Sequence, residues 1–295
     1  MSKINLMALR HSAFYSPYLM TMAGGYLSNI GLDANYIVQT PDNLVRDRIL
    51  DGNCHVSQSA VAAGFSSLEN NTPDNIRHFA QINSRDGFFI ASRKPDTNFS
   101  WNDLAGQDIL VDHFFQPLAM LKYALHKKGI SFDSLNVIDA GDVKQIDNAF
   151  RNGTGDFVHQ QGPAPQQLEA DGLATVVASV GDVIGPVAFS SLCATQDWLQ
   201  TDMASAFFDA YKISLKQCQQ DDAGNIARQL HEYGFLTDIN FDVLQNTLKT
   251  YQLLGCWNHN GLIGKDEYQT LLEVFKYSQL ITKEHGFEKL IATIM

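Results

Sequence analysis

Short apolar runs separated by polar, glycine-containing loops fill the first two thirds of the chain, and helical periodicity fills the last third. The opening run, Ile4 to Leu9, is brief, apolar and closed by polar residues, as a strand buried in a parallel sheet should be. A polar loop follows, Pro17 sits where a first-turn proline starts a helix, and the helix is predicted over Tyr18 to Asn29. Gly31 suits a helix C-terminus, and Tyr36-Ile37-Val38 supplies a second strand. Leu44 to Leu50 has helical spacing behind Pro41 and Asp42, and His55 to Ser59 reads as a short strand. Ala60 to Leu68 reads as a buried helix, with strands over Ile76 to Ile82 and Gly87 to Ala91. Phe88-Phe89-Ile90 lacks alternation, as expected when both faces of a strand are covered.

The polar stretch Arg93 to Asp103, with Pro95 and Asn98, marks a crossing into a second unit that repeats the first. Asp108 to Val111 is a strand, Asp112 to Pro117 a loop, and Leu118, Leu121 and Leu125 give a helix its apolar stripe. Gly129 ends that helix and Ser134 to Ile138 returns as a strand; the repetition is architectural, without residue-level identity. A helix over Lys144 to Phe150, strands at Asp156 to Val158 and Ala174 to Ala178, and a long apolar strand over Val187 to Ala194 follow. From Asp197 the pattern is helical: Ala204 to Gln217, Ala223 to Tyr233, Phe241 to Tyr251 and Asp266 to Leu280. The expected fold is α/β and two-lobed, with mixed sheets flanked by helices and a helical C-terminal tail. Lobe I comprises residues 1–92 and 188–295, lobe II residues 93–187, with hinges near 88–95 and 185–192.

Composition narrows the function classes. With 295 residues, 45% hydrophobic and 18% charged, the chain has room for two ordinary globular domains. A net charge of −11, and no basic run longer than Lys127-Lys128, argues against nucleic-acid binding. Cys54, Cys193, Cys218 and Cys256 have neither metal-ligand nor redox spacing and are expected as buried free thiols. No run approaches the ~18 apolar residues of a membrane helix, so no membrane insertion is expected. Met1-Ser2-Lys3 leads straight into a six-residue apolar run, too short for a secretory signal. Taken as written the chain reads as cytoplasmic; a periplasmic protein with its signal removed would look the same.

Motifs along the chain bring in a family. Phe14-Tyr15-Ser16-Pro17-Tyr18 places an aromatic residue and a proline at a helix start, and Gly25-Tyr26-Leu27 with Gly31-Leu32-Asp33 closes the same unit. Further on stand Asp103-Leu104-Ala105-Gly106-Gln107, Gly155-Asp156-Phe157-Val158 with Pro163, and Trp257 with Gly261-Leu262-Ile263. In this order and spacing they resemble the substrate-binding proteins of nitrate, sulfonate and taurine ABC transporters and the related thiamine-pyrimidine proteins (the SsuA/THI5-like group). The resemblance spans nearly the whole chain. It implies the type II periplasmic-binding-protein fold, a small-molecule ligand and an ABC permease as partner. The family's transport proteins usually carry an acidic residue just before the proline matching Pro163; Gly162 stands there.

In open sheets, ligands bind outside the carboxyl ends of the strands. That rule selects His11, Ser12, Phe14 and Tyr15 after the first strand and Ser57, Gln58 and Ser59 after the third. From the second lobe it selects His113, Phe114, Phe115 and Gln116, then His159, Gln160 and Gln161, with Pro186 on the returning crossing. Phe14, Tyr15, Phe114 and Phe115 are placed to stack on a flat ligand. The histidines and the neutral Ser and Gln side chains offer donors and acceptors to a heterocycle edge. Arg10 is the one cation on these loops, which disfavours a strongly charged oxyanion. The expectation is therefore a monomeric solute-binding protein, without cofactor or bound metal, that closes over a planar heterocyclic or weakly anionic ligand. The alternatives on this fold are a ligand sensor or a cytoplasmic enzyme of thiamine-pyrimidine or menaquinone type. Around Gln58 to Ala63 the chain lacks the lysine and histidine of the thiamine-pyrimidine synthase, and it has no cysteine cluster.

Overall fold

The opening apolar run forms strand β1 (Ser2–Ala8) in a computed structural model that describes residues 1–94 and 98–294. A 3-10 turn (Ala13–Tyr15) leads into helix α1 (Ser16–Ala23), with Pro17 in its first turn. The helix predicted to reach Asn29 breaks at Gly24-Gly25. Gly25 takes φ of +73°, and a Cβ on Gly24 would lie 2.5 Å from the Tyr26 ring, so the chain restarts as α2 (Tyr26–Asn29). β2 (Leu32–Val38) then pairs in parallel with the whole of β1. α3 (Val45–Leu50), β3 (Val56–Ser59), α4 (Ala63–Glu69) and β4 (Ile76–Asn83) follow.

The middle of the chain supplies β5 (Phe88–Ser92), β6 (Asp108–Val111), α5 (Phe115–Lys127), β7 (Asn136–Ile138) and α6 (Val143–Arg151). It continues with β8 (Phe157–Gln161), α7 (Ala164–Ala170), β9 (Thr175–Ser179), α8 (Val180–Ile184) and β10 (Ser190–Thr195). The tail is helical: α9 (Asp202–Gln220), α10 (Ala223–Tyr233), α11 (Phe241–Leu254) and α12 (Lys265–Tyr277).

The strands form two five-stranded mixed sheets of matching design, ordered β2-β1-β3-β10-β4 and β7-β6-β8-β5-β9. In each, the second strand listed runs parallel to both neighbours and the fourth runs antiparallel to both of its own. Here one expectation is corrected. The sequence pattern puts the Phe88 strand in the first lobe, with the crossing at Arg93 to Asp103; β5 instead pairs with β8 and β9, inside the second sheet. The crossing therefore falls at residues 84–87, and Pro95, offered as its marker, lies outside the described residues. An apolar strand covered on both faces reads alike in either sheet, so the pattern did not assign its partner.

The return crossing runs over residues 185–189, because β10 starts at Ser190 rather than Val187. The two crossings lie side by side: Val187 N donates to Ser84 O at 2.9 Å and Phe189 N to Asn83 O at 3.2 Å. The tail pins them. Trp257, fully buried, donates from Nε1 to Asn83 Oδ1 at 2.8 Å, and the Tyr251 hydroxyl lies 3.4 Å from Gly87 O on the first crossing. One hydrophobic cluster runs through Phe14, Phe88, Phe189, Tyr251 and Trp257, so the lobes meet over a shared core.

Candidate functional site

The strand ends of both sheets face a pocket of about 370 Å³, mouth included. From the first sheet, β1 runs out into Leu9 and Arg10. Gln58, at the end of β3, fixes that turn by accepting from Leu9 N at 3.0 Å and Arg10 N at 3.2 Å through its Oε1. From the second sheet, β6 runs out into Asp112, whose Oδ1 accepts from Phe114 N at 2.8 Å. Asp112 Oδ2 lies 3.4 Å from Arg10 Nη1, an ion pair that spans the two lobes. The Arg10 guanidinium also covers the Phe114 ring, 4.5 Å from its centre. The cation facing the pocket is thus already matched by an acid.

The remaining wall is aromatic and amide. Tyr15, Phe88, Phe114 and Phe189 supply rings, and Gln116 and Gln161 supply amides. Gln116 Nε2 donates to Phe189 O at 2.8 Å across the lobes, and its buried Oε1 has no partner among the described residues. Gln161 Nε2 is likewise buried, with the Tyr15 phenol beside it but no well-formed hydrogen bond among the described residues. A buried amide atom without a partner costs about 1–3 kcal/mol, so these two mark where a ligand's polar edge is wanted. Burial pushes the Tyr15 phenol above its ordinary value, with Arg10 and the Gln161 amide pulling back, so a neutral hydroxyl faces the pocket. Behind Phe88, His159 stacks at 4.9 Å and is wholly buried, and neither ring nitrogen has a hydrogen-bond partner among the described residues. Burial brings its pKa down to about 4, so the ring is neutral near pH 7.

A wider crevice of about 1320 Å³ opens beside this pocket and shares Arg10 and Gln161 with it. His11 and Ser12 line it, with Lys144 from α6 and Asp238 from the tail.

A model of the NMT1/THI5-like family matches residues 13–223, well over half of the 295. The chain belongs to the NMT1/THI5-like family. YtlA of Bacillus subtilis (strain 168), which carries the name of a binding protein, is 23% identical over 295 residues, covering 99% of this chain and 88% of YtlA. The fold matches the ligand-binding component of an ABC-type import system from Staphylococcus aureus, solved with zinc bound. That likeness has a TM-score of 0.75 at 17% identity, over 99% of this chain and 97% of that one. It also matches the periplasmic aliphatic sulphonate binding protein SsuA from Escherichia coli, with a TM-score of 0.72 at 11% identity, over 99% and 97%. The type II periplasmic-binding-protein architecture expected from the motifs is the one this NMT1/THI5-like chain adopts.

Of the residues singled out in this family member's sequence, Tyr15, Gln58, Phe114, Gln116 and Gln161 meet at the inner pocket. The others do not reach it. Phe14 is fully buried against Phe189 and Tyr251, as a core side chain. Phe115 turns outward on α5 and packs on Phe275, 5.2 Å between ring centres. Ser59 and Gln160 point away because successive strand residues alternate faces; Gln160 Nε2 donates to Val143 O at 3.4 Å. His11 is drawn off by Tyr36, whose hydroxyl is 2.9 Å from its Nδ1. His113 Nδ1 lies 2.8 Å from Val111 O, and Pro186 is exposed on the return crossing. The three histidines therefore sit in separate surroundings, and no group of three or more His, Cys, Asp or Glu among the described residues is placed to hold a metal.

Sequence reasoning missed Phe88, Phe189 and Ser190 as lining residues, and it did not connect Arg10 with Asp112. The available signal was topological. Both crossings must pass the floor of the cleft, so the aromatic residue where each one ends, Phe88 and Phe189, was a candidate.

Proposed function

We propose that this protein is a solute-binding protein that closes its two lobes over a small planar ligand, neutral or weakly charged, with a donor–acceptor edge. The observation that carries this reading is the inner pocket. Its rings come from both lobes and the return crossing, its amides keep one acceptor and one donor without a well-formed hydrogen bond, and its one cation among the described residues is paired with Asp112. Gln116 Oε1 takes a ligand N–H, Gln161 Nε2 gives a proton to a ring nitrogen or carbonyl, and Phe88 and Phe189 cover the ring faces. The relatives' names support a role beside an ABC importer and a location outside the cytoplasm; the cytoplasmic expectation draws no support from them. No helix among the described residues is long and apolar enough to cross a membrane.

A thermal-shift screen of aminopyrimidines, purines, alkanesulfonates, nitrate and sulfate tests the reading. A flat heterocycle raises the melting temperature of the wild type, and Phe88→Ala and Gln161→Ala each lose most of that rise. A response confined to sulfonates or nitrate would overturn it.

A further inference from the structure

A second hollow lies in the first lobe, away from the cleft, between α3, α4, β4 and the C-terminal segment. It has about 550 Å³ of free space, mouth included, with a wall of Val45, Ile49, Ala63, Leu68 and Leu290 and the Cys193 thiol. Beside it a shallower cavity of about 870 Å³ shares Leu68, Pro73, Arg77 and Lys289 with it. The charge around this pair is one-sided. Arg46, Arg77, Lys283 and Lys289 line the two cavities, against a single carboxylate, Asp74. That carboxylate is already used: Oδ2 holds Arg46 at 2.9 Å and Oδ1 accepts from Ile76 N at 3.1 Å. Glu69 stands nearby and is likewise engaged, by the Thr282 hydroxyl at 2.6 Å and His285 Nε2 at 2.7 Å. Arg77 Nη1 donates to two carbonyls, Asp74 O at 2.9 Å and Ile76 O at 2.8 Å, and meets no carboxylate among the described residues. The Lys283 and Lys289 ammonium groups have no ion pair or hydrogen bond among the described residues. On a chain with 32 acids, 21 Lys and Arg, and a net charge of −11, this is a local reversal of sign over an apolar recess.

We propose that the recess is a binding site for a small soluble amphipathic anion, with an apolar tail of medium chain length and one carboxylate. The tail occupies the hollow under Leu290, and the carboxylate meets Arg77, Lys283 and Lys289 at the shared edge. The site is built within one lobe, so its occupancy does not require the cleft to close, and it stands whether or not the cleft takes a heterocycle.

Titration calorimetry of the full chain with octanoate, and with octylammonium as a control of equal length and opposite charge, tests this. Octanoate binds one equivalent and octylammonium does not. Ala63→Phe, which puts a ring into the hollow from an exposed helix position, weakens octanoate by at least about tenfold, since each excluded methylene is worth ~0.8 kcal/mol. Lys289→Glu, at an exposed and unpaired position that the fold does not need, weakens it about threefold or more. Gln116→Ala, in the cleft, leaves octanoate binding unchanged. The proposal is overturned if octanoate fails to bind at millimolar concentration, if Ala63→Phe binds it as well as the wild type, or if octylammonium binds equally. It is also overturned if Gln116→Ala abolishes binding, which would place the anion in the cleft.

Discussion

Asp86 sits on the first crossing, fully buried, and holds the start of β5 by accepting from Phe88 N at 2.6 Å through Oδ1. Its Oδ2 has no partner among the described residues. Burial raises its pKa from 3.8 to about 8; the Phe88 amide pulls it back and the charge of Asp112 raises it further. The sign of the linkage follows. The unfolded chain releases this proton near pH 4 and the folded chain keeps it to about pH 8. The contribution is therefore full below about pH 4 and is lost steadily as pH rises towards 8. Asp86→Asn keeps an acceptor for Phe88 N and cannot ionise. Each pH unit in this window is worth ~1.36 kcal/mol, so between pH 5 and pH 8 the variant gains up to about 4 kcal/mol relative to the wild type. Urea unfolding of both proteins at pH 5, 6, 7 and 8 measures the difference. Groups that titrate alike in both chains cancel, including Tyr15, Tyr251 and Cys256, which face Asp86 from the other elements. A difference that is the same at pH 5 and pH 8 would refute a neutral, buried Asp86.

Other perturbations probe the crossings and the cleft. A Cβ on Gly87 would lie 2.6 Å from Phe14 Cζ, in a fully packed core, so Gly87→Ala costs about 1–3 kcal/mol and lowers the melting temperature by several degrees in calorimetry. Trp257→Phe removes the donor to Asn83 Oδ1 and leaves a buried acceptor unpaired, a loss of about 1–3 kcal/mol in denaturant unfolding. Asp112→Asn leaves Arg10 without its counter-charge, so alkanesulfonates should raise the melting temperature of this variant more than that of the wild type. An equal response in the two proteins would mean that Arg10 does not face the ligand.

The repeating strand–loop–helix–strand units were legible because local chemistry decides them: Pro17 in the first turn of α1, Gly31 at the turn into β2, and apolar runs too short for helices. The sheet to which Phe88–Ser92 belongs was not legible, because a strand covered on both faces carries no periodicity to tell one partner from another. The same limit separated the loop aromatics. Phe14 and Tyr15 are adjacent, as are Phe114 and Phe115, yet only the second of the first pair and the first of the other reach the pocket. The direction in which each loop leaves its strand decides that, and this depends on the packing of distant helices such as α11 and α12 on these loops. The loops themselves were found by one rule, that strand ends gather ligands; which side chains face inward had to be seen.

The place of β10 bears on the order in which the chain can be built. β10 lies between β3 and β4, paired to both, although about 100 residues separate it from β4 in sequence. On a growing chain, β3 and β4 therefore emerge with no strand to join them, while every strand of the second sheet lies in the continuous stretch 88–179. The second lobe can be complete on the ribosome while the first still shows two open strand edges, the condition under which nascent chains cross-pair. The first lobe completes its five-stranded sheet, and takes in β4, only when residue 195 has cleared the exit tunnel, so its assembly is the late, exposed step of this protein's biogenesis.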